Sequence, residues 1–514
     1  MATASSSRAI DVLIVGAGPT GLVLAVWLAR LGIRLRIIDK TSEPGTTSRA
    51  MAVQARTLEF YSQLGFADRV VAQGRWAQAA NLWANGRHAA RFEFGNIGAG
   101  LSPFPYALIY PQDEHERFLI EHLATLGVVV ERTTELASFE QTEHGVRARL
   151  TQADGSEELC TAGYLAGCDG ARSTVRERLG FGFPGGTYDH LFYVADVEAN
   201  GKILNHELNV TFDQQDFLVV FPLKGDRRAR FIGTVRDDPA RTTDLTWDDV
   251  SKKIIGDLRT SVEKVNWFST YRVHHRVAEH FRAGRIFLLG DAAHIHSPVG
   301  GQGMNTGIGD AVNLAWKLAA TLHGAEPAVL DSYEPERLAF ARRLVATTDR
   351  AFVQITSRGW LARLVRLDLA PIFAPILFFS LRMRRVLFRL VSQTAITYRR
   401  CSFNGGIAGR VWGGDRLPWV PSSEPTGNLT ALRTLDWQVH VYGEAKPGLQ
   451  SLCEDRGIPL HVFQYLPETR RAGLRRNAAY LIRPDGYVGL AEPDGDATKV
   501  AAYLDVRGIS VLRS

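Results

Sequence analysis

Three groups of glycine and acid residues carry the chemistry that can be read from this sequence. In the first, Gly16, Gly18 and Gly21 enclose Pro19 and Thr20 in a G-x-G-x-x-G spacing, directly after the apolar run Ile10 to Val15. A first glycine permits a tight turn, a second lets the backbone approach a pyrophosphate, and a third lets the following helix pack on the strand. The start of that helix offers N–H groups and a positive dipole end to phosphates. Asp39, followed by Lys40, closes the next apolar run, where a carboxylate accepts from ribose hydroxyls and repels a 2′-phosphate. This much predicts a dinucleotide and leaves FAD and NAD undistinguished. In the second group, Tyr164 to Cys168 runs into Asp169-Gly170, with Ser173 and Arg176 in the basic helix start that follows. The third begins at Gly290-Asp291, after Arg285 to Leu289, and continues through Pro298, Gly300, Gly301, Gln302, Gly303, Met304 and Asn305. A carboxylate at a strand end can hold a sugar-alcohol chain. A glycine-rich loop lets amides approach a flat ring, and a helix N-terminus stabilises an anion developing on it.

These residues need strands and helices to position them. The first motif predicts a buried strand, a helix over Leu22 to Leu31 capped by Gly32, and a strand over Ile33 to Ile38. After Asn305, Ala311, Leu314, Ala315, Leu318, Ala319 and Leu322 recur at helical spacing, with Gly324 as terminator. Between the second and third motifs, His206 to Phe212, Phe217 to Phe221 and Arg230 to Val235 read as strands of a sheet that could roof a pocket. Trp76 to Phe94 is expected to join it. Tyr188, Phe192, Tyr193, Phe212 and Phe221 are read as sheet core, and no catalytic base is named. Trp412 to Pro418 reads as a linker. Beyond it come a strand (Trp437 to Tyr442), a helix (Gly448 to Arg456), a strand (Leu460 to Tyr465), a hairpin turning at Asp485-Gly486, and a helix over Asp496 to Val506. His294 and His296 alternate like a metal pair, but no third ligand stands at a convincing spacing. No metal is assigned, and His294 is read as a packing or hydrogen-bonding residue.

The three motifs, in this order and spacing, resemble those of the class A flavoprotein monooxygenases, the single-component FAD-dependent aromatic hydroxylases. The resemblance covers essentially the whole chain, and the Gly290 to Asn305 segment is its most specific part. It implies an α/β fold: a Rossmann-type FAD-binding domain like that of p-hydroxybenzoate hydroxylase, a β-sheet substrate domain and a thioredoxin-like C-terminal domain. The expected bounds are 1–75, 105–180 and 276–395 for the first, with a helical extension; 76–104 and 181–275 for the second; and 396–514 for the third. By resemblance, Gly16, Gly18, Pro19, Thr20 and Gly21 hold the FAD pyrophosphate, and Asp39 and Lys40 lie at the adenosine ribose. Arg49 and Gln112 contact FAD phosphates, and Asp291 holds the ribityl chain. Pro298, Gly301, Gly303, Met304 and Asn305 belong to the loop facing the isoalloxazine, and Asp169 belongs to a motif tied to both FAD and NAD(P)H. Asp39 departs from the family's more usual Glu, but the shorter acid still reaches a ribose.

The C-terminal segment, with its Arg483-Pro484-Asp485-Gly486-Tyr487 hairpin, resembles the thioredoxin-like tail of phenol and polyketide hydroxylases. It lacks Cys-x-x-Cys, so no redox role of its own is expected. The implied reaction uses NAD(P)H and O2 to hydroxylate a phenolic or polycyclic aromatic through a flavin C4a-hydroperoxide. No second glycine motif for a nicotinamide appears, which fits a transient co-substrate. An FAD-dependent reductase or dehydrogenase on the same scaffold, or a non-catalytic flavin-binding protein, stands as the alternative.

Composition bounds these readings. A chain of 514 residues, 45% hydrophobic and 22% charged, is that of an average globular protein with several domains. A net charge of +6 is too thin over this length to argue for nucleic acid or an anionic membrane. The expected partners are therefore a small aromatic and O2, and a homodimer is compatible with the sequence. The cysteines Cys160, Cys168, Cys401 and Cys453 fit neither a disulfide framework nor zinc spacing, and predict a cytoplasmic protein. The uncharged stretch between Asp11 and Arg30 resembles a membrane span until its glycines are noticed. Leu369 to Leu381, broken by Pro371 and Pro375, is too short to span, although its flanking arginines leave a peripheral membrane contact open.

Overall fold

The computed structural model describes residues 10–45, 50–213, 217–235, 245–250, 252–356 and 380–509. Arg49 and most of the Leu369 to Leu381 run lie outside the described residues. Among those described, no helix is long and apolar enough to cross a membrane.

Strand Ile10–Val15 is apolar, β-branched and flanked on both sides by parallel strands, Leu35–Asp39 and Glu157–Gly167. Ile286–Leu288 continues the parallel run beyond Glu157–Gly167. Their stretches 12–15, 37–38 and 164–167 are covered on both faces and are continuously apolar there. Helix Pro19–Arg30 packs beside helices Gln112–Thr125 and Gly303–Leu322. It starts earlier than expected because Pro19 suits the first helical turn. It ends where Gly32 takes φ +73° and Ile33 N–H reaches back to Leu28 O. Ile33 is thereby spent on the helix end, and the strand begins at Leu35 instead.

A second eight-stranded sheet runs in the order His294–Ile295, Ser261–Val277, Gly185–Asn200, Arg228–Val235, Phe217–Pro222, Leu208–Phe212, Ala79–Ala84 and Arg87–Glu93. Its two longest strands were not legible in the sequence. Their pairing shifts register near Thr187–Leu191, Asp196–Val197 and Glu198–Ala199, so the alternation that would reveal them restarts. The chain leaves this sheet after Glu93. Ile97 and Phe104 join the main core, so the stretch 95–104 expected in the substrate domain packs with the cofactor half.

The third sheet orders Val411–Trp412, Gly405–Ala408, Val488–Glu492, Ala479–Ile482, Gln438–Tyr442 and Leu460–Phe463. Helices Pro447–Arg456 and Ala497–Val506 fall where expected, and a short helix, Pro467–Ala472, was not foreseen. Trp412 to Pro418 is no linker. Gly413 to Leu417 are buried, and Arg416 crosses to Glu59 in the first half of the chain. One face of this sheet, including Trp437, Val439 and Leu481, continues the core of the first.

Candidate active site

The three motifs meet at the carboxyl ends of three adjacent parallel strands. Val15 is in register with Gly167, and Gly167 with Leu288. This is the edge of a parallel sheet at which ligands bind. Gly16 takes φ +104°, and a side chain there would collide with the Cys168 carbonyl. At Gly21 a side chain would strike the carbonyl of Gly16. At Gly18, by contrast, it would meet nothing within 4 Å. Two glycines thus serve packing, and one lines open space at the start of a helix that no side chain caps. Thr20 wedges against Gly290: its Oγ1 lies 2.6 Å from where a Gly290 side chain would begin.

Asp39 Oδ2 accepts from Ala17 N–H at 2.7 Å, and Oδ1 from Thr41, so the acid braces the glycine turn beside it. Asp169 Oδ2 accepts from Val175 N–H at 3.1 Å, while its buried Oδ1 has no partner among the described residues. Burial pushes this carboxyl above its ordinary range. Arg176 ties the second motif to the third, donating to Ala171 O and to Ala292 O at 3.0 Å. Asp291 is exposed at this edge. An open cradle at Gly18 and an exposed acid at Asp291 would fit a bound dinucleotide.

The loop after Asp291 is held from below. Gly300 and Gly301 take φ +77° and +62°, a left-handed backbone that favours glycine. Asn305 is buried and fully engaged. Its Nδ2 donates to Ala52 O and Gly301 O, and its Oδ1 accepts from Gln54 N–H and Thr57 Oγ1. Any contact from Asn305 to a ring therefore comes from its backbone. Met304 packs on the core, Pro298 is exposed, and Gln112 opens its helix with Nε2 donating to Glu116. Lys40 is exposed.

His294 Nε2 pairs with Asp310 Oδ2 at 2.7 Å, which also accepts from Gly290 N–H, while Arg337 donates to Oδ1 at 2.5 Å. Asp310 and Arg337 were missed. The available signal was Asp310, the one acid on a helix whose face is otherwise mostly apolar. Among the described residues no group of three or more His, Cys, Asp or Glu could hold a metal.

The second sheet is joined to the third motif where His294–Ile295 pairs with Val277 and Arg276. Phe192 and Tyr193 point to opposite faces, as strand neighbours must. Tyr193 packs with Trp247 and Phe268, and Phe192 with Phe217, Tyr271 and Phe352. Thr234, in register with Phe192, is buried with its Oγ1 unpartnered. A separate open cleft of about 700 Å³, lined by Arg410, Arg470, Arg471, Arg475 and Arg476, involves none of the motif residues.

The profile of the family described as FAD binding domain matches residues 9–348. The chain belongs to that family. It is a class A, FAD-dependent flavoprotein monooxygenase of the aromatic and polyketide hydroxylase group. The monooxygenase is 39% identical to the 6-methylpretetramide 4-monooxygenase of Streptomyces rimosus, over 74% of this chain and 67% of that one. It is similar in structure to the anhydrotetracycline hydroxylase of Streptomyces rimosus, with a TM-score of 0.79, 29% identity, and coverage of 98% of this chain and 100% of the other. It is also 32% identical to the dialkyldecalin synthase of Streptomyces rugosporus, over 94% of this chain and 96% of that relative.

Proposed function

We propose that this monooxygenase hydroxylates a phenolic or polycyclic aromatic substrate, with NAD(P)H as reductant and O2 as oxygen donor. The observation that carries the reading is the convergence of three glycine motifs on one sheet edge, joined through His294–Ile295 to a second sheet that carries an aromatic cluster. Gly16, Gly18, Thr20 and Gly21 would hold the FAD pyrophosphate, Asp39 the adenosine ribose, Asp291 the ribityl chain, and the backbone from Gly300 to Asn305 the ring. Bound FAD supplies the electron transfer and oxygen activation that no side chain can. The chain's own residues bind, orient and exclude water. Gly300 and Gly301 let backbone amides approach the ring, and the start of helix Gly303–Leu322 presents a positive dipole end to charge developing on it. Phe217 and Tyr271, half-buried against the core residue Phe192, would give an aromatic ring a surface to pack on. Polycyclic substrates are favoured over simple phenols because the two Streptomyces rimosus proteins are named for tetracycline-type polycycles.

The test is oxidation of NADH and NADPH, with O2 uptake, by the purified yellow protein against a panel of phenols and polycyclic aromatics. Substrate-stimulated uptake with ¹⁸O from ¹⁸O2 in the product is the expected result. A second reading is non-oxidative chemistry in a flavin-bearing fold, favoured by the near full-length likeness to a protein named as a synthase. FAD-bound protein that converts a polycyclic substrate without consuming NAD(P)H or O2 selects that reading.

A further inference from the structure

The C-terminal unit is expected to have no redox role of its own, yet its buried charges are aimed at one place. Arg483, in the turn between strands Ala479–Ile482 and Val488–Glu492, is completely buried. It donates to Glu336 Oε1 at 2.6 Å and Oε2 at 3.0 Å, to Asp485 Oδ1 at 3.0 Å and Oδ2 at 2.6 Å, and to Asn404. Glu336 Oε2 also accepts from Lys317 Nζ at 2.8 Å and Asn313 Nδ2 at 2.7 Å, both on helix Gly303–Leu322. The next residue, Arg337, donates to Asp310, to Thr306 O at 3.0 Å and to Tyr398 OH at 2.8 Å, and Tyr398 stacks on Tyr487 at 4.4 Å between ring centroids. Asp310 in turn holds Gly290 N–H and His294.

A second arm runs from the same unit. Arg416 forms a buried two-point pair with Glu59, and Arg56 bridges Glu59 at 2.8 Å and Asp485 O at 2.6 Å. Glu59 and Arg56 lie on helix Ala55–Gln63, where Thr57 and the preceding Gln54 hold Asn305. One arm thus ends at the first residue of the Gly290 to Asn305 segment and the other at the last.

A merely cohesive interface would be satisfied by apolar packing, since replacing buried ion pairs with apolar side chains is often neutral or stabilising. Guanidinium forks on carboxylates instead fix direction as well as distance. We propose that Arg483 and Arg416 are positioning residues: through Glu336–Arg337–Asp310 and Glu59–Asn305 they set the loop that faces the flavin, so cofactor affinity and environment depend on the C-terminal unit. The proposal rests on the reading that the Gly300 to Asn305 backbone faces the ring.

The test uses the full-length holoenzyme with Arg483→Lys, which keeps the charge and loses the fork, and Arg483→Met. Arg456→Gln, which removes an exposed pair with Asp505 in the same unit, serves as control. Bound-flavin absorbance, FAD dissociation constant and thermal midpoint are measured for each. A coupling of this kind weakens FAD binding by about three- to thirtyfold. It also shifts the visible flavin band, with Arg483→Lys intermediate and Arg456→Gln unchanged. A lowered thermal midpoint with unaltered FAD affinity and flavin spectrum overturns the proposal and leaves a structural interface only. If Arg483→Met does not fold, Tyr398→Phe, which removes the hydroxyl that accepts from Arg337 and pairs with Tyr487, carries the same two outcomes. Failure of the site reading itself is read separately, as FAD binding indifferent to a methyl group at Gly18.

Discussion

Replacing Gly18 by alanine separates the needs of the fold from those of the ligand. The residue sits at φ −76° and ψ −178°, an extended conformation open to any L-residue, and its new methyl would touch nothing within 4 Å. The free protein should therefore lose nothing, and the stiffer unfolded chain contributes about 0.4–1 kcal/mol in its favour. Toward FAD the effect is opposite, because the methyl stands where a pyrophosphate must approach the backbone. Loss of one charge-assisted hydrogen bond costs about 1.5–3 kcal/mol, roughly a ten- to hundredfold rise in the dissociation constant. Gly21→Ala supplies the contrast: its methyl strikes the Gly16 carbonyl, and overpacking of that kind costs about 1–3 kcal/mol in the free protein. Urea unfolding of the apoprotein and flavin-fluorescence titration read the two effects separately. Gly18→Ala binding FAD as tightly as the parent would refute the placement of the pyrophosphate over this helix start.

Asp291→Ala should weaken FAD binding, read by flavin-fluorescence titration. Burial pushes the Glu59 carboxyl up, but Arg416 and Arg56 outweigh it and hold the group below its ordinary range. Glu59→Gln strands those two guanidiniums and should cost about 3–5 kcal/mol by urea unfolding, with part recovered in Glu59→Leu/Arg416→Met. His115 is fully buried against Tyr61 OH at 2.7 Å, and burial pushes its pKa down from 6.5 to about 3. Between those values the unfolded chain binds a proton that the folded chain refuses. Stability on this account is whole above pH 6.5 and declines as pH falls toward 3, by an order of a few kcal/mol. His115→Asn should flatten that part of the stability–pH curve, measured as unfolding free energies at pH 7 and pH 4.5.

The sequence was most informative where backbone geometry admits few residues. Gly16, Gly21, Gly300 and Gly301 are demanded by collisions or left-handed backbone, so their spacing could be read without a structure. The short parallel strands were equally plain because burial on both faces leaves continuous apolar runs. What stayed hidden depended on partners far away in the chain. Asn305 was expected near the cofactor, but its side chain turns inward to residues about 250 positions earlier. Asp310, Arg337, Glu336 and Arg483 are individually ordinary charges, and only folding reveals that they form one connected group. Trp412 to Pro418 looked like a linker because Gly413, Gly414 and Pro418 punctuate it. In the structure its polar residues are buried because Glu59 stands opposite Arg416.

The two-residue strand His294–Ile295 has a practical consequence. It belongs to the segment that begins with Gly290-Asp291, yet it pairs with Arg276 and Val277 as the edge of the second sheet. The segment proposed to hold the cofactor and the second sheet are thus knitted along a shared seam. A chimera that exchanges the roof between relatives to change substrate range must take residues 294 and 295 from the same parent as 261–277. A cut placed between 277 and 294 splits a ladder and misaligns the loop it was meant to preserve.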